Sequence, residues 1–177
     1  KRRRRTKKFL NKIIFIDEYK KLCKLISYHQ LWEQKVAIHR HIVVLGLGYV
    51  GLTLAVVLAE QGFMVTGVDV DSNKIKKLKR KESYVHEIGI EDLIKKNIGT
   101  NLNVSNSIPS NGDVFIISVG TPVQRNKKGN TVVNTDYIKE ICSSIASNLR
   151  PGNLVILRST VPVGLSRKLV IPILEKE

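Results

Sequence analysis

The sequence predicts an α/β fold built on a doubly wound parallel sheet, and three observations predict it. Short apolar runs rich in Val and Ile alternate with stretches of helical periodicity, the pattern of strands joined by helical crossovers. The first clear run, Ile42 to Leu45, opens directly into Gly46, Gly48 and Gly51 in G-x-G-x-x-G spacing. The next run, Phe63 to Val68, ends on an acid, Asp69.

The elements follow in order from that unit. Ile42 to Leu45 reads as a buried strand. Gly46 permits a tight turn out of it, and Gly48 lets an anionic group approach the backbone. Gly51 lets the next helix pack close to the sheet. That helix begins near Tyr49 and Val50, so its free N–H groups and positive dipole end face the turn. Gln61-Gly62 stops it after Glu60, and Phe63 to Val68 forms the second strand. Asp69 stands about 20 residues beyond the glycines, where a ribose-binding acid is expected. A carboxylate there accepts from ribose hydroxyls and repels a 2′-phosphate, which favours NAD over NADP. Lys74, at the start of the following helix, adds a contact and slightly weakens that exclusion. A lone glycine motif is weak, but here strand, helix, second strand and acid agree, and a glycine turn serving only packing does not explain Asp69. The expected cofactor is NAD and the expected fold is of Rossmann type.

Beyond Asp69 a lysine-rich helix runs from about Asn73 to Lys81, its charges forming a solvated face. Residues 84–98 read as a loop and a short helix carrying Glu91 and Asp92 in its first turn. Asn101 to Val104 is a weak strand, and Asp113 to Val119 a buried one ending in Gly120-Thr121-Pro122. Gln124 to Asn130 reads as a polar, mobile loop. Asp136 to Leu149 is a helix with Thr135 as N-cap. Asn153 to Leu157 is a fifth strand, leading to Ser159-Thr160-Val161-Pro162-Val163-Gly164 and a last helix, Ser166 to Glu175. With the strand at Asn101 counted third, the expected order is 3-2-1-4-5. Both late loops then leave the carboxyl edge of the sheet, where such folds bind ligands.

The front of the chain is different. Of the net charge of +15, residues 1–40 carry +10, from 13 Lys/Arg against 3 Asp/Glu. They form a basic N-terminal extension, partly helical or disordered, with a helix expected over 17–36. The run KRRRRTKK is a solvated tail or an attachment to nucleic acid or an anionic surface. No interleaved aromatics support specific nucleic-acid binding, and the segment lacks the features of a secretory signal. No apolar run approaches the ~20 residues of a transmembrane segment. Cys23 and Cys142 stand in no metal-ligand spacing, and the four histidines form no ligand motif, so no metal is expected. Two isolated cysteines either argue for a reducing compartment or carry no information. The first residue is Lys, so the sequence is expected to be part of a longer or processed product.

Taken together, GLGYVGL, VDVD, SVGTPV and RSTVPVG, in this order, resemble the N-terminal NAD-binding domain of the UDP-glucose/GDP-mannose dehydrogenase family, the nucleotide-sugar 6-dehydrogenases. The resemblance covers residues 41–177. It implies a cytoplasmic, homodimeric full-length enzyme of polysaccharide biosynthesis that oxidises the C6 alcohol of a UDP- or GDP-sugar to a uronic acid while two NAD are reduced. It also implies that the backbone of Gly46, Leu47, Gly48, Tyr49, Val50 and Gly51 holds the pyrophosphate, and that Asp69 and Lys74 hold the adenosine ribose. Val119, Gly120, Thr121 and Pro122 line the cofactor, and Ser159 and Thr160 lie near the nicotinamide. Thr160 orients a water or the reacting hydroxyl, or is a strand-end cap. Arg158 touches substrate in the full enzyme or is a surface charge. The family's nucleophilic Cys, its Lys and Asp, and the nucleotide-sugar pocket belong to a C-terminal half without counterpart in these residues. Neither Cys23 nor Cys142 stands in a matching motif. Two alternatives are a non-catalytic NAD-binding fragment and a related 3-hydroxyacid or 6-phosphogluconate-type dehydrogenase, the latter disfavoured by the GTP and STVPVG loops.

Overall fold

A computed structural model describes residues 14–15, 40–125, 129 and 131–175 of the chain. The expected helix over 17–36 and the basic run at residues 1–8 lie outside the described residues. In chain order the strands are β1 (Ile14–Phe15), β2 (His41–Leu45), β3 (Met64–Val68), β4 (Leu102–Ser105), β5 (Val114–Ile117), β6 (Val123–Arg125), β7 (Thr131–Val133) and β8 (Leu154–Leu157). The α-helices are α1 (Tyr49–Glu60), α2 (Ser72–Lys79), α3 (Ile90–Asn97), α4 (Asp136–Ala146) and α5 (Ile171–Leu174), the last preceded by a π-helical turn, Ser166–Val170.

The main sheet runs β1-β8-β5-β2-β3-β4, with every pair parallel. Read from β4, its first five strands have the expected order 3-2-1-4-5. The front segment adds a sixth by laying Ile14–Phe15 along Ile156 and Leu157.

Alternation along each strand sends side chains into two cores. On one face Ile42, Val44, Val65, Leu102, Val114 and Ile116 pack under α1, α2 and α3 through Leu52, Ala55, Val56, Ile75, Leu78 and Ile94. On the other, Val43, Leu45, Phe115, Ile117, Val155 and Leu157 pack under α4 and α5 through Ile138, Cys142, Ile145 and Leu174. A strand covered on both faces is apolar throughout, which is why these strands read as continuous hydrophobic runs. No helix among the described residues is long and apolar enough to cross a membrane.

Three local expectations are corrected. The stretch expected as a mobile loop is flanked by a two-stranded antiparallel ribbon, β6 with β7, so Gln124 and Arg125 are strand residues. Val123 and Val133 pair there and supply the β-branched pattern that the polar stretch between them obscures. Thr135 occupies the N-cap of α4 without a side-chain bond. Instead Asn134 Oδ1 accepts from the Asp136 N–H at 2.8 Å. The last helix is not uniform, opening as a π turn before α5.

Candidate functional site

The register of the sheet brings four strand ends together. Leu45 pairs with Val68 and Ile117, and Ile117 pairs with Leu157, so the residues that follow leave one edge side by side. The ladder continues one step further: Gly46 N–H donates to Val68 O at 2.8 Å, Ser118 N–H to Leu45 O at 2.7 Å and Arg158 N–H to Ile117 O at 2.8 Å.

The three motif glycines differ in what surrounds them. Gly46 has φ +93° and abuts the Ser118 carbonyl, to which a Cβ would come within 2.8 Å. A Cβ on Gly51 would collide with the Gly46 carbonyl. Gly48 has nothing within 4 Å of that position. Gly46 and Gly51 are therefore demanded by packing of turn, helix and neighbouring strand, whereas Gly48 leaves space on the outer side. Gly48 is also the N-cap of α1 and offers no side-chain acceptor, so the first-turn N–H groups at Tyr49, Val50 and Gly51 are left for a ligand. Tyr49 and Val50 are 58% and 48% exposed at this end. Glu87 faces the Tyr49 hydroxyl and raises its pKa, chiefly by hydrogen bonding, with desolvation and charge adding to it.

Asp69 is held rather than free. It is 8% exposed. Oδ2 accepts the Leu47 N–H at 2.8 Å and lies 3.2 Å from Lys74 Nζ, while Oδ1 accepts the Asp71 N–H at 2.9 Å. Asn106 Nδ2 donates to the Asp69 carbonyl at 2.9 Å. The acid is thus tied to the glycine turn itself, with Lys74 alongside. A carboxylate has about four lone-pair sites, so these three donors leave room for one more, such as a ribose hydroxyl.

The two late loops are stitched to each other. Thr121 Oγ1 donates to Thr160 O at 2.7 Å, and Ser159 Oγ donates to Val119 O at 2.7 Å. Val119, Thr121 and Ser159 are half-buried, while Gly120, Pro122 and Thr160 are exposed at the rim. The structure therefore gathers the named residues into two groups, the glycine turn with Asp69 and Lys74, and the paired loops. Ser118 joins them through its contact with Gly46.

Sequence reasoning missed Tyr84, whose hydroxyl donates to the Leu47 carbonyl at 2.6 Å. A single tyrosine in a segment read as a loop carries no spacing signal. It also missed Ser118, whose carbonyl abuts Gly46, and Asn106, whose side-chain amide donates to the Asp69 carbonyl.

A family model, described as the UDP-glucose/GDP-mannose dehydrogenase family, NAD binding domain, matches residues 40–177. The chain belongs to the UDP-glucose/GDP-mannose dehydrogenase family. What it spans is that family's NAD-binding domain, so the open turn at Gly48, the bare N-terminus of α1 and the anchored Asp69 fit an NAD site. It is 37% identical over 131 residues to a UDP-N-acetyl-D-mannosamine dehydrogenase of Methanococcus maripaludis, covering 73% of this chain and 30% of that protein. It is 36% identical over 128 residues to a UDP-glucose 6-dehydrogenase of Bacillus subtilis, covering 70% of this chain and 28% of that protein. A solved GDP-mannose dehydrogenase of Pseudomonas aeruginosa in a ternary complex superposes with a TM-score of 0.68 at 34% identity, over 77% of this chain and 32% of that one. The chain thus spans about 30% of the length of these two curated relatives. It shares a family with dehydrogenases acting on different nucleotide sugars.

Proposed function

We propose that this chain is the cofactor-binding part of a nucleotide-sugar 6-dehydrogenase that oxidises the C6 alcohol of a UDP- or GDP-sugar to a uronic acid. The observation that carries this reading is the family match over residues 40–177. NAD supplies the two-electron acceptor when bound, and two are reduced for each sugar taken through the aldehyde to the acid.

In this reading residues 41–177 form the NAD-binding domain and residues 1–40 an extension. The backbone from Gly46 to Gly51 receives the pyrophosphate at the bare end of α1. Asp69 receives the adenosine ribose, with Lys74 beside it. Val119, Gly120, Thr121 and Pro122 line the cofactor, and Ser159 and Thr160 flank the nicotinamide. Thr160, exposed at the rim with its carbonyl accepting from Thr121, is assigned to the reacting end by the family motif. The thiol that would attack the aldehyde comes from a C-terminal part outside these residues. Cys142 does not fill that role: it is fully buried, and burial pushes its pKa up to about 11, which disfavours the thiolate. The remaining partners in this reading are a nucleotide sugar and a second copy of the full-length protein, in the cytoplasm.

The test is NADH formation by the full-length protein with UDP-N-acetylmannosamine, UDP-glucose and GDP-mannose. NADH from one of them, at two per sugar, is the expected result. No NADH from any of the three would overturn the proposal. The 177-residue chain alone is expected to bind NAD without turnover.

A further inference from the structure

Tyr84 lies between α2 and α3, outside the glycine motif and both late loops, yet its hydroxyl and its ring both face the cofactor site. We propose that Tyr84 is a positioning residue for the dinucleotide, a brace that sets the orientation of the peptide joining Leu47 to Gly48. The inference rests on the NAD site described above.

Tyr84 Oη donates to Leu47 O at 2.6 Å. That carbonyl and the Gly48 N–H belong to one planar trans peptide and point in opposite directions, so fixing one fixes the other. Leu47 is secured at two further points. Its N–H donates to Asp69 Oδ2 at 2.8 Å, and its fully buried side chain packs against Gly67, where a Cβ would stand 2.8 Å from Leu47 Cδ2. With the N–H, carbonyl and side chain of Leu47 all held, the Gly48 N–H and the first-turn N–H groups of α1 have one fixed direction. Those are the donors an anion meets at this turn. Such donors bind best when no reorganisation is needed on binding.

The ring of the same residue supports the other half of the site. Lys74 Nζ lies 6.0 Å from the Tyr84 ring centroid, at the outer reach of a cation–π contact, and 3.2 Å from Asp69 Oδ2. One side chain thus touches the phosphate turn through its hydroxyl and the ribose acid through Lys74. The hydroxyl keeps its proton well beyond neutral pH, because burial first, and then the Asp69 and Asp71 carboxylates, raise its pKa. The donor is therefore present wherever the protein works.

Calorimetry on the 177-residue chain with NAD, ADP and adenosine tests this. Tyr84→Phe removes the hydroxyl and keeps the ring. It is expected to weaken NAD and ADP about two- to tenfold, the range of one lost hydrogen bond, and to leave adenosine unchanged. Tyr84→Leu removes the ring as well and is expected to weaken adenosine too, because Lys74 and Asp69 lose their support. Titrations are run well below the melting midpoint of each variant. Unchanged NAD affinity in Y84F, or an equal loss for all three ligands, would overturn the inference while leaving the NAD site standing. A parent chain that bound no NAD would overturn both.

Discussion

Two junctions at one sheet edge are built by opposite means. Between β2 and α1, steric contact dominates: the Gly51 position collides with the Gly46 carbonyl if a Cβ is added, and Gly46 abuts Ser118. Around Val119 to Pro122 and Ser159 to Thr160, two hydroxyl-to-carbonyl bonds hold exposed or half-buried loops together. The first junction is close-packed, with no room for a side-chain carbon at Gly46 or Gly51. The second is held by bonds worth about 1 kcal/mol each in net terms, so it is adjustable.

The largest expected effects lie at the glycines. Gly51→Ala is expected to destabilise the chain by about 3 kcal/mol in urea unfolding, because turn and helix must separate. Gly48→Ala, with open space around it, is expected to change stability by less than about 0.5 kcal/mol. It should nevertheless weaken NAD by about tenfold, since its methyl takes the space left for phosphate. Equal stability losses for the two would end the steric account.

Asp69→Asn comes next. It replaces one of the acceptors for the Leu47 and Asp71 N–H groups by a donor and removes the partner of Lys74. About 2 kcal/mol of stability is expected to go. NAD affinity is expected to fall and its preference over NADP to narrow, as read by calorimetry with both. An unchanged ratio of the two affinities would show that Asp69 serves the turn alone.

Thr121→Val probes the adjustable junction. Losing the bond to Thr160 O is expected to cost about 0.5–1 kcal/mol, well below the Gly51 effect. A loss equal to that of Gly51→Ala would mean that the two junctions are equally rigid.

The smallest effect concerns Glu60, which fastens α1 to α3, the helix that follows Tyr84. Lys96 Nζ and Asn97 Nδ2 donate to its carboxylate at 2.6 and 2.9 Å, and these bonds lower its pKa from 4.5, Lys96 most. A depressed folded pKa means that this contribution is complete above the unfolded value and is lost as pH falls through the folded one. Thermal melts from neutral to acid pH should therefore show the parent chain losing its advantage over Glu60→Gln only below about pH 4.5. A difference that persisted unchanged at lower pH would place the effect in packing instead.

The juxtaposition of the glycine turn with Asp69 was legible in the sequence, and the limits of that legibility follow chain distance. Gly46, Gly48, Gly51 and Asp69 belong to one βαβ unit whose spacing is set by strand and helix lengths, so their juxtaposition follows from local geometry. Tyr84 reaches Leu47 across 37 positions and Thr121 reaches Thr160 across 39, and no local rule links such pairs. The β6–β7 ribbon escaped notice for a related reason, since its strands are three residues each and its pairing, not its composition, defines it. At α4 both Thr135 and Asn134 carry a capping oxygen, and backbone geometry alone chose Asn134.

Periodicity and motif spacing alone set the parallel α/β sheet and its strand order, the glycine turn, the acid after β3 and the family. The sheet and the turn follow from periodicity and from spacing within one unit, and the family from four motifs spread over residues 41–177. Only the tertiary structure decided that the Asp69 carboxylate is anchored to Leu47 and Lys74, that Tyr84 braces the same peptide, that the two late loops bind each other, and that Ile14–Phe15 borders β8. These depend on which surfaces meet when the sheet is assembled, and hydrogen bonds between distant residues take their partners from that assembly.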